Sequence, residues 1–190
     1  MLAALAHAGI AAQKTREPGG SPGAEAIRHL LLDGSDERWD AVGEALLLYA
    51  ARRDHVLRLI NPALDQGDWV VCDRFADSTL AYQGYGRGLP IDDLLALHRF
   101  ALGDFMPDLT LILDLPAADG LARAARRSAA SDRFERLDLA FHERMRQGFC
   151  RIAADNPMRC VVIDATGDRD SVHRAIVAAV AARLGVNFAG

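Results

Sequence analysis

The chain has 190 residues, 51% of them apolar and 25% charged, with a formal net charge of -4. That length suffices for one domain with a full core, and the composition is that of an ordinary globular protein. The mildly acidic balance argues against a nucleic-acid surface but leaves room for small anionic ligands held by a local arginine cluster.

Cys72, Cys150 and Cys160 are odd in number and lack metal-ligand spacing, which fits core thiols in a reducing cytoplasm. The histidines are scattered, against a zinc site. The alanine-rich start is interrupted by His7 and Gly9 and has no lysine or arginine before Lys14. It reads as a helix end stopped by Gly9 and followed by a strand, in preference to a signal peptide or membrane anchor.

Four short runs read as buried parallel strands: 10–15, Trp69–Asp73, 109–114 and Cys160–Asp164. Helical periodicity covers 24–32 and a long stretch, 40–64, with Val42, Ala45, Leu46, Tyr49, Val56, Leu57 and Ile60 in phase. Further helices are expected over Ile91–Leu102, Ala117–Arg127, 132–154 and 171–184. The 132–154 pattern includes Phe134, Leu137, Phe141 and Met145. Gly84-Tyr85-Gly86-Arg87-Gly88 reads as a flexible surface loop, with Arg87 a candidate substrate contact. Strands alternating with helices imply one layered α/β domain over residues 1–190, with a parallel sheet. Ligands in such folds sit at the carboxyl ends of the strands. Here those ends carry Arg16-Glu17-Pro18, Asp73-Arg74 and Asp114.

Each of these ends has a plain reading and a chemical one. Pro18-Gly19-Gly20 makes a tight strand-to-helix turn whose backbone can also approach a ligand. Asp73 can hold Mg²⁺, directly or through water, and Arg74 offers a planar fork for phosphate oxygens; the plain alternative is a strand-end ion pair. Arg123, Arg126 and Arg127 form either a solvated helix face or part of a lid with the small residues 128–131. Ser131 can cap a helix with Glu135 in its first turn.

Thr15-Arg16-Glu17-Pro18-Gly19-Gly20 and Asp73-Arg74-Phe75-Ala76-Asp77-Ser78-Thr79-Leu80-Ala81-Tyr82-Gln83, in this order, resemble the bacterial thymidylate kinases. The resemblance runs over residues 1–184 and includes Pro107-Asp108-Leu109-Thr110. It implies a P-loop-kinase-like, three-layer α/β fold and transfer of a phosphoryl group from ATP to dTMP, with Mg²⁺. It also implies a cytoplasmic homodimer with no nucleic-acid or membrane partner. By this resemblance Arg16, Glu17 and Pro18 lie against the dTMP phosphate and sugar. Arg52 hydrogen-bonds the thymine edge, Thr79 contacts the base, and Tyr82 disfavours ribonucleotides. Ser78 and Gln83 complete the acceptor motif. Leu48 stands where the family has a phenylalanine that stacks on the base, a change expected to weaken base selection by about 1–3 kcal/mol. Arg123, Arg126 and Arg127 belong to a lid over residues 123–135 that neutralises the transferring group. Asp132 and Glu135 fall near the nucleotide sugar and metal, and Asp164 and Thr166 border the adenine of ATP.

The family's Gly-x-x-x-x-Gly-Lys-Ser/Thr loop and the strand before it, roughly 20 residues, do not occur in this chain. The resemblance then implies a sheet without its central strand, its neighbours about 10 Å apart instead of about 4.8 Å, and little or no turnover. The alternatives are a non-catalytic nucleotide binder and a kinase for another nucleoside monophosphate.

Overall fold

Short β-branched and apolar runs bounded by helices pair in parallel, because each crossover helix returns the chain to the same end of the sheet. The computed structural model describes residues 1–33, 38–127, 133, 134 and 136–188, with Arg127 by its backbone alone. Strand β1 (Ala12–Arg16) pairs with β2 (Trp69–Asp73), Ala12 opposite Trp69 and Arg16 opposite Asp73. Strand β3 (Thr110–Asp114) pairs with β4 (Cys160–Asp164), Thr110 opposite Cys160 and Asp114 opposite Asp164. Both ladders are parallel, as the alternating pattern predicts. Among the described residues no ladder joins the two pairs.

The helices are α1 (Leu2–His7), α2 (Pro22–Leu32), α3 (Ala41–His55), α4 (Asn61–Asp65), α5 (Ala76–Thr79), α6 (Ile91–Leu102), α7 (Ala117–Arg127), α8 (Leu139–Asp155) and α9 (Arg169–Leu184). The long helix expected over 40–64 is present with an interruption. Between α3 and α4 the backbone widens to a π-helical turn, Val56–Ile60, where Asn61 N–H reaches back to Val56 O. Pro62 follows and lacks the N–H that would continue the tighter ladder.

Two expectations are corrected. The glycine-rich segment is a surface loop only at its end: Leu80–Gly86 is π-helical with Gly84 and Gly86 buried, and Gly88 beyond it is exposed. A Cβ at Gly86 would come within 2.5 Å of the Phe141 ring, and one at Gly84 within 2.5 Å of Ile91 Cδ1. These glycines are therefore packing residues. Helix α8 begins at Leu139, well after residue 132, because the Asp138 carboxylate accepts from Phe141 N–H at 2.7 Å and caps it there. Phe134 and Leu137 keep the apolar phase of α8 but lie in the turn ahead of it.

Apolar contacts gather Ala45, Leu80, Ala81, Leu94, Ile112 and Ile152 into the main core. Between the two strand pairs stands one buried polar junction. Asp77, 3% exposed, accepts from both Arg159 Nη atoms at 2.7 Å and from Thr110 Oγ1 at 2.9 Å. It anchors the segment after β2 to the residues that open β3 and β4.

Candidate functional site

The carboxyl ends of β1 and β2 lie side by side, and Glu17 N–H donates to Asp73 O at 3.0 Å. Glu17 is 5% exposed, and a carboxylate so buried requires charged or hydrogen-bonding partners. Arg52 Nε donates to its Oε2 at 2.6 Å and His55 Nδ1 to its Oε1 at 3.0 Å. His55 Nε2 in turn lies 2.7 Å from Thr15 Oγ1. Gly20, with φ of +91°, passes so close that a Cβ would collide with His55 Nε2 and Thr15 Oγ1, so only glycine fits the turn.

Arg52 is 2% exposed. Its Nη2 donates to Thr79 Oγ1 at 2.9 Å, and its guanidinium sits 4.7 Å from the Tyr49 ring centre and 5.2 Å from that of Phe75. Its Nη1 is buried and has no hydrogen-bond partner among the described residues. Arg74 adopts φ of +72°, a left-handed backbone that is uncommon outside glycine and costs about 1–3 kcal/mol. That turn carries its guanidinium to 4.9 Å from the Tyr82 ring centre. The Cys72 thiol is pushed up by burial and donates to Arg74 O at 3.0 Å, which gives it a structural role and no nucleophilic one.

These groups wall one cavity. Of the residues expected from sequence, Glu17, Pro18, Leu48, Arg52, Arg74, Ser78, Thr79, Tyr82 and Gln83 line it. Residues that sequence reasoning missed also line it: Arg28, Leu32, Phe75, Phe134 and His142. Arg28 Nη1 donates to Pro18 O at 2.7 Å and so braces the Glu17-Pro18 turn, a contact only the helix after Gly20 could have hinted at. Phe75 lies inside the Asp73–Gln83 motif itself. The Tyr82 ring is packed edge-on by Phe134, Phe141 and Phe149, at centroid distances of 5.6 to 6.4 Å.

Other expected residues are placed elsewhere. Arg16 pairs with Glu25 at 3.1 Å outside the cavity, and Glu25 accepts from Gly20 N–H, which holds its carboxyl below the usual range. Arg123 donates to Ala165 O at 2.9 Å and Thr166 O at 3.1 Å, and Arg126 turns back to Ala122 O. Asp164 accepts from the Thr166 N–H and hydroxyl, a local turn that lowers its carboxyl. Asp132, Glu135 and the side chain of Arg127 lie outside the described residues.

Asp73 is exposed at the end of β2. Among the described residues no group of three or more His, Cys, Asp or Glu is placed to hold a metal. A single exposed carboxylate suits Mg²⁺ held jointly by water and nucleotide phosphates better than a closed protein cage.

Comparison with known proteins agrees on one family. The thymidylate kinase family model matches residues 1–176. The thymidylate kinase of Caulobacter vibrioides is 58% identical over 172 residues, 90% of this chain and 82% of that protein. The thymidylate kinase of Nitrobacter hamburgensis is 56% identical over 90% of this chain and 75% of its own length. The crystal structure of thymidylate kinase from Ehrlichia chaffeensis superposes with a TM-score of 0.69 at 36% identity, covering 89% of this chain and 79% of that one.

Proposed function

Because the chain belongs to the thymidylate kinase family, we propose that its cavity is the dTMP site of a kinase that moves the γ-phosphoryl group of Mg·ATP onto dTMP, giving dTDP and ADP. One observation carries this reading. Two residues that line the cavity each hold a buried polar atom without a hydrogen-bond partner among the described residues, the donor Arg52 Nη1 and the acceptor Gln83 Oε1. Buried polar atoms in this state are costly, and a ligand that supplies both partners removes the cost. A thymine edge offers a carbonyl oxygen beside an imide N–H, which is that complement.

The remaining roles follow from position. Arg74 holds the phosphate, Pro18 and Arg28 shape the wall beside it, and Leu48 and Phe75 supply apolar surface for the base. Tyr82, clamped by three phenylalanines, leaves no slack for a ribose 2′-hydroxyl. Arg123, Arg126 and Arg127 act at the transferring group when the lid is closed, Asp132 and Glu135 lie near the nucleotide sugar and the metal, and Asp164 and Thr166 border ATP. Asp73 would help hold Mg²⁺, which supplies neutralisation of phosphate charge.

We infer that one further strand, followed by a phosphate-binding loop, stands between β2 and β3. The support is that β2 and β3 share no ladder and that apolar Leu113 on β3 is 50% exposed. Without such a loop the donor phosphates lack their backbone cradle and lysine, so these 190 residues alone bind dTMP and do not turn over ATP. Val42, Leu46, Leu57 and Leu64 leave an apolar stripe exposed along α3, the π-helical turn and α4, which supports a homodimer through that face. The free thiols suit a reducing cytoplasm, and among the described residues no helix is long and apolar enough to cross a membrane.

The test is calorimetric titration of this chain with dTMP, dCMP and dGMP. Saturable binding of dTMP well ahead of the others is expected. Equal binding of all three, or none, refutes the assignment. An ADP-release assay on a protein carrying the phosphate-binding loop should show turnover with dTMP.

A further inference from the structure

Glu44 lies on α3, wholly buried, and neither composition nor motif singles it out. Its Oε1 faces two guanidinium groups that arrive from distant parts of the chain, Arg87 Nη2 at 2.9 Å and Arg133 Nη2 at 2.8 Å. Its Oε2 accepts from Gln83 Nε2 at 3.0 Å. A carboxylate has acceptors only, so the Gln83 amide must turn its NH₂ group toward Glu44 and its carbonyl oxygen away. Gln83 is 1% exposed, lines the cavity, and its Oε1 has no hydrogen-bond partner among the described residues. The two arginines leave Oε1 of Glu44 no freedom to rotate toward the amide, so the carboxylate cannot exchange roles between its oxygens without breaking an ion pair.

We propose that Glu44 is a positioning residue that sets base specificity: by fixing the Gln83 carboxamide it presents a hydrogen-bond acceptor to the cavity. It thereby selects a base whose ring nitrogen carries an N–H, such as thymine, over one whose ring nitrogen there is an acceptor, such as 5-methylcytosine. With the amide reversed, its NH₂ would meet the imide N–H and the preference would weaken or invert. The proposal rests on the reading of the cavity as a dTMP site.

The experiment is calorimetry on the 190-residue chain with dTMP and 5-methyl-dCMP, which share sugar, phosphate and methyl group. The wild type should prefer dTMP. In E44Q the new amide keeps its oxygen on the arginines and offers NH₂ to Gln83, which then flips; the preference should fall roughly tenfold or more. In Q83L the preference is set without the amide, and adding E44Q to that background should change it no further. E44D, which keeps the charge for both arginines but shortens the reach, should show a partial loss and gives the same reading if E44Q does not fold. A preference unchanged in E44D and E44Q, or altered by the same factor with and without Gln83, overturns the proposal. A wild type that binds dTMP without preferring it to 5-methyl-dCMP overturns this inference alone. A wild type that binds neither overturns the dTMP assignment with it.

Discussion

Arg52 and Glu17, 35 positions apart in the chain, form an ion pair of 2.6 Å in which neither partner is more than 5% exposed. The pair fixes one of the guanidinium groups that line the cavity, and it is braced by His55 on the acid and Thr79 on the base. Removing either charge leaves the other buried and uncompensated.

Glu17→Gln should therefore destabilise the fold by about 3–5 kcal/mol. It should also weaken dTMP binding, because Arg52 loses its anchor. Urea unfolding followed by circular dichroism measures the first effect and calorimetry the second. A midpoint equal to that of the wild type would show that the pair contributes nothing to the fold.

Arg74 separates backbone cost from side-chain function. Its φ of +72° is relieved by glycine and not by alanine. Arg74→Gly should be more stable than Arg74→Ala by about 1 kcal/mol. Both should lose affinity for dTMP while leaving the weaker binding of thymidine, which has no phosphate, nearly unchanged. Equal losses for dTMP and thymidine would remove Arg74 from the phosphate.

Gly86→Ala places a methyl group 2.5 Å from the Phe141 ring. The expected cost is about 1–3 kcal/mol of overpacking, read as a lower melting temperature. A neutral substitution would restore the picture of a loose surface loop over residues 84–88.

Acid sensitivity has an identifiable source. Arg146 donates to both oxygens of Asp114, at 2.7 and 2.9 Å, and holds that carboxyl below its usual 3.8. A lowered folded-state value contributes stability that is fully present above the usual value and is lost as pH falls through the lowered one. The wild type should thus lose stability between pH 7 and about pH 3. In Arg146→Gln the loss should be smaller, by an amount that solvent screening of this partly open pair keeps modest. Urea midpoints at the two pH values decide it, and an unchanged difference would assign the acid sensitivity to other carboxylates.

Much of this site is written in local pattern. Apolar runs ending in aspartate mark Trp69–Asp73 and Cys160–Asp164, and many of the cavity-lining residues cluster because they follow neighbouring parallel strands. The unreadable part is long-range. Nothing near Glu17 announces that its partners are Arg52 and His55, and Glu44 looks like any helix glutamate until Gln83, Arg87 and Arg133 close on it. Glycine spacing misleads over residues 84–88, because close packing and flexible loops both call for the absence of a side chain. The apolar phase of α8 likewise extends through Phe134, although Asp138 stops the helix short of it.

The Asp77 junction has a consequence for how the site and the rest of the fold divide their tasks. Among the described residues, twelve of the cavity's wall residues run from Glu17 to Gln83, and Phe134 and His142 come from the half that holds β3 and β4. Most of the wall thus stands on one side of the buried Asp77, with Arg159 and Thr110 of the other half fastened to it. The other half also reaches that wall at Tyr82, packed by Phe134, Phe141 and Phe149, and at Gln83, whose partner Glu44 pairs with Arg133. A displacement of one half against the other would therefore be felt at the wall, through those rings and that ion pair.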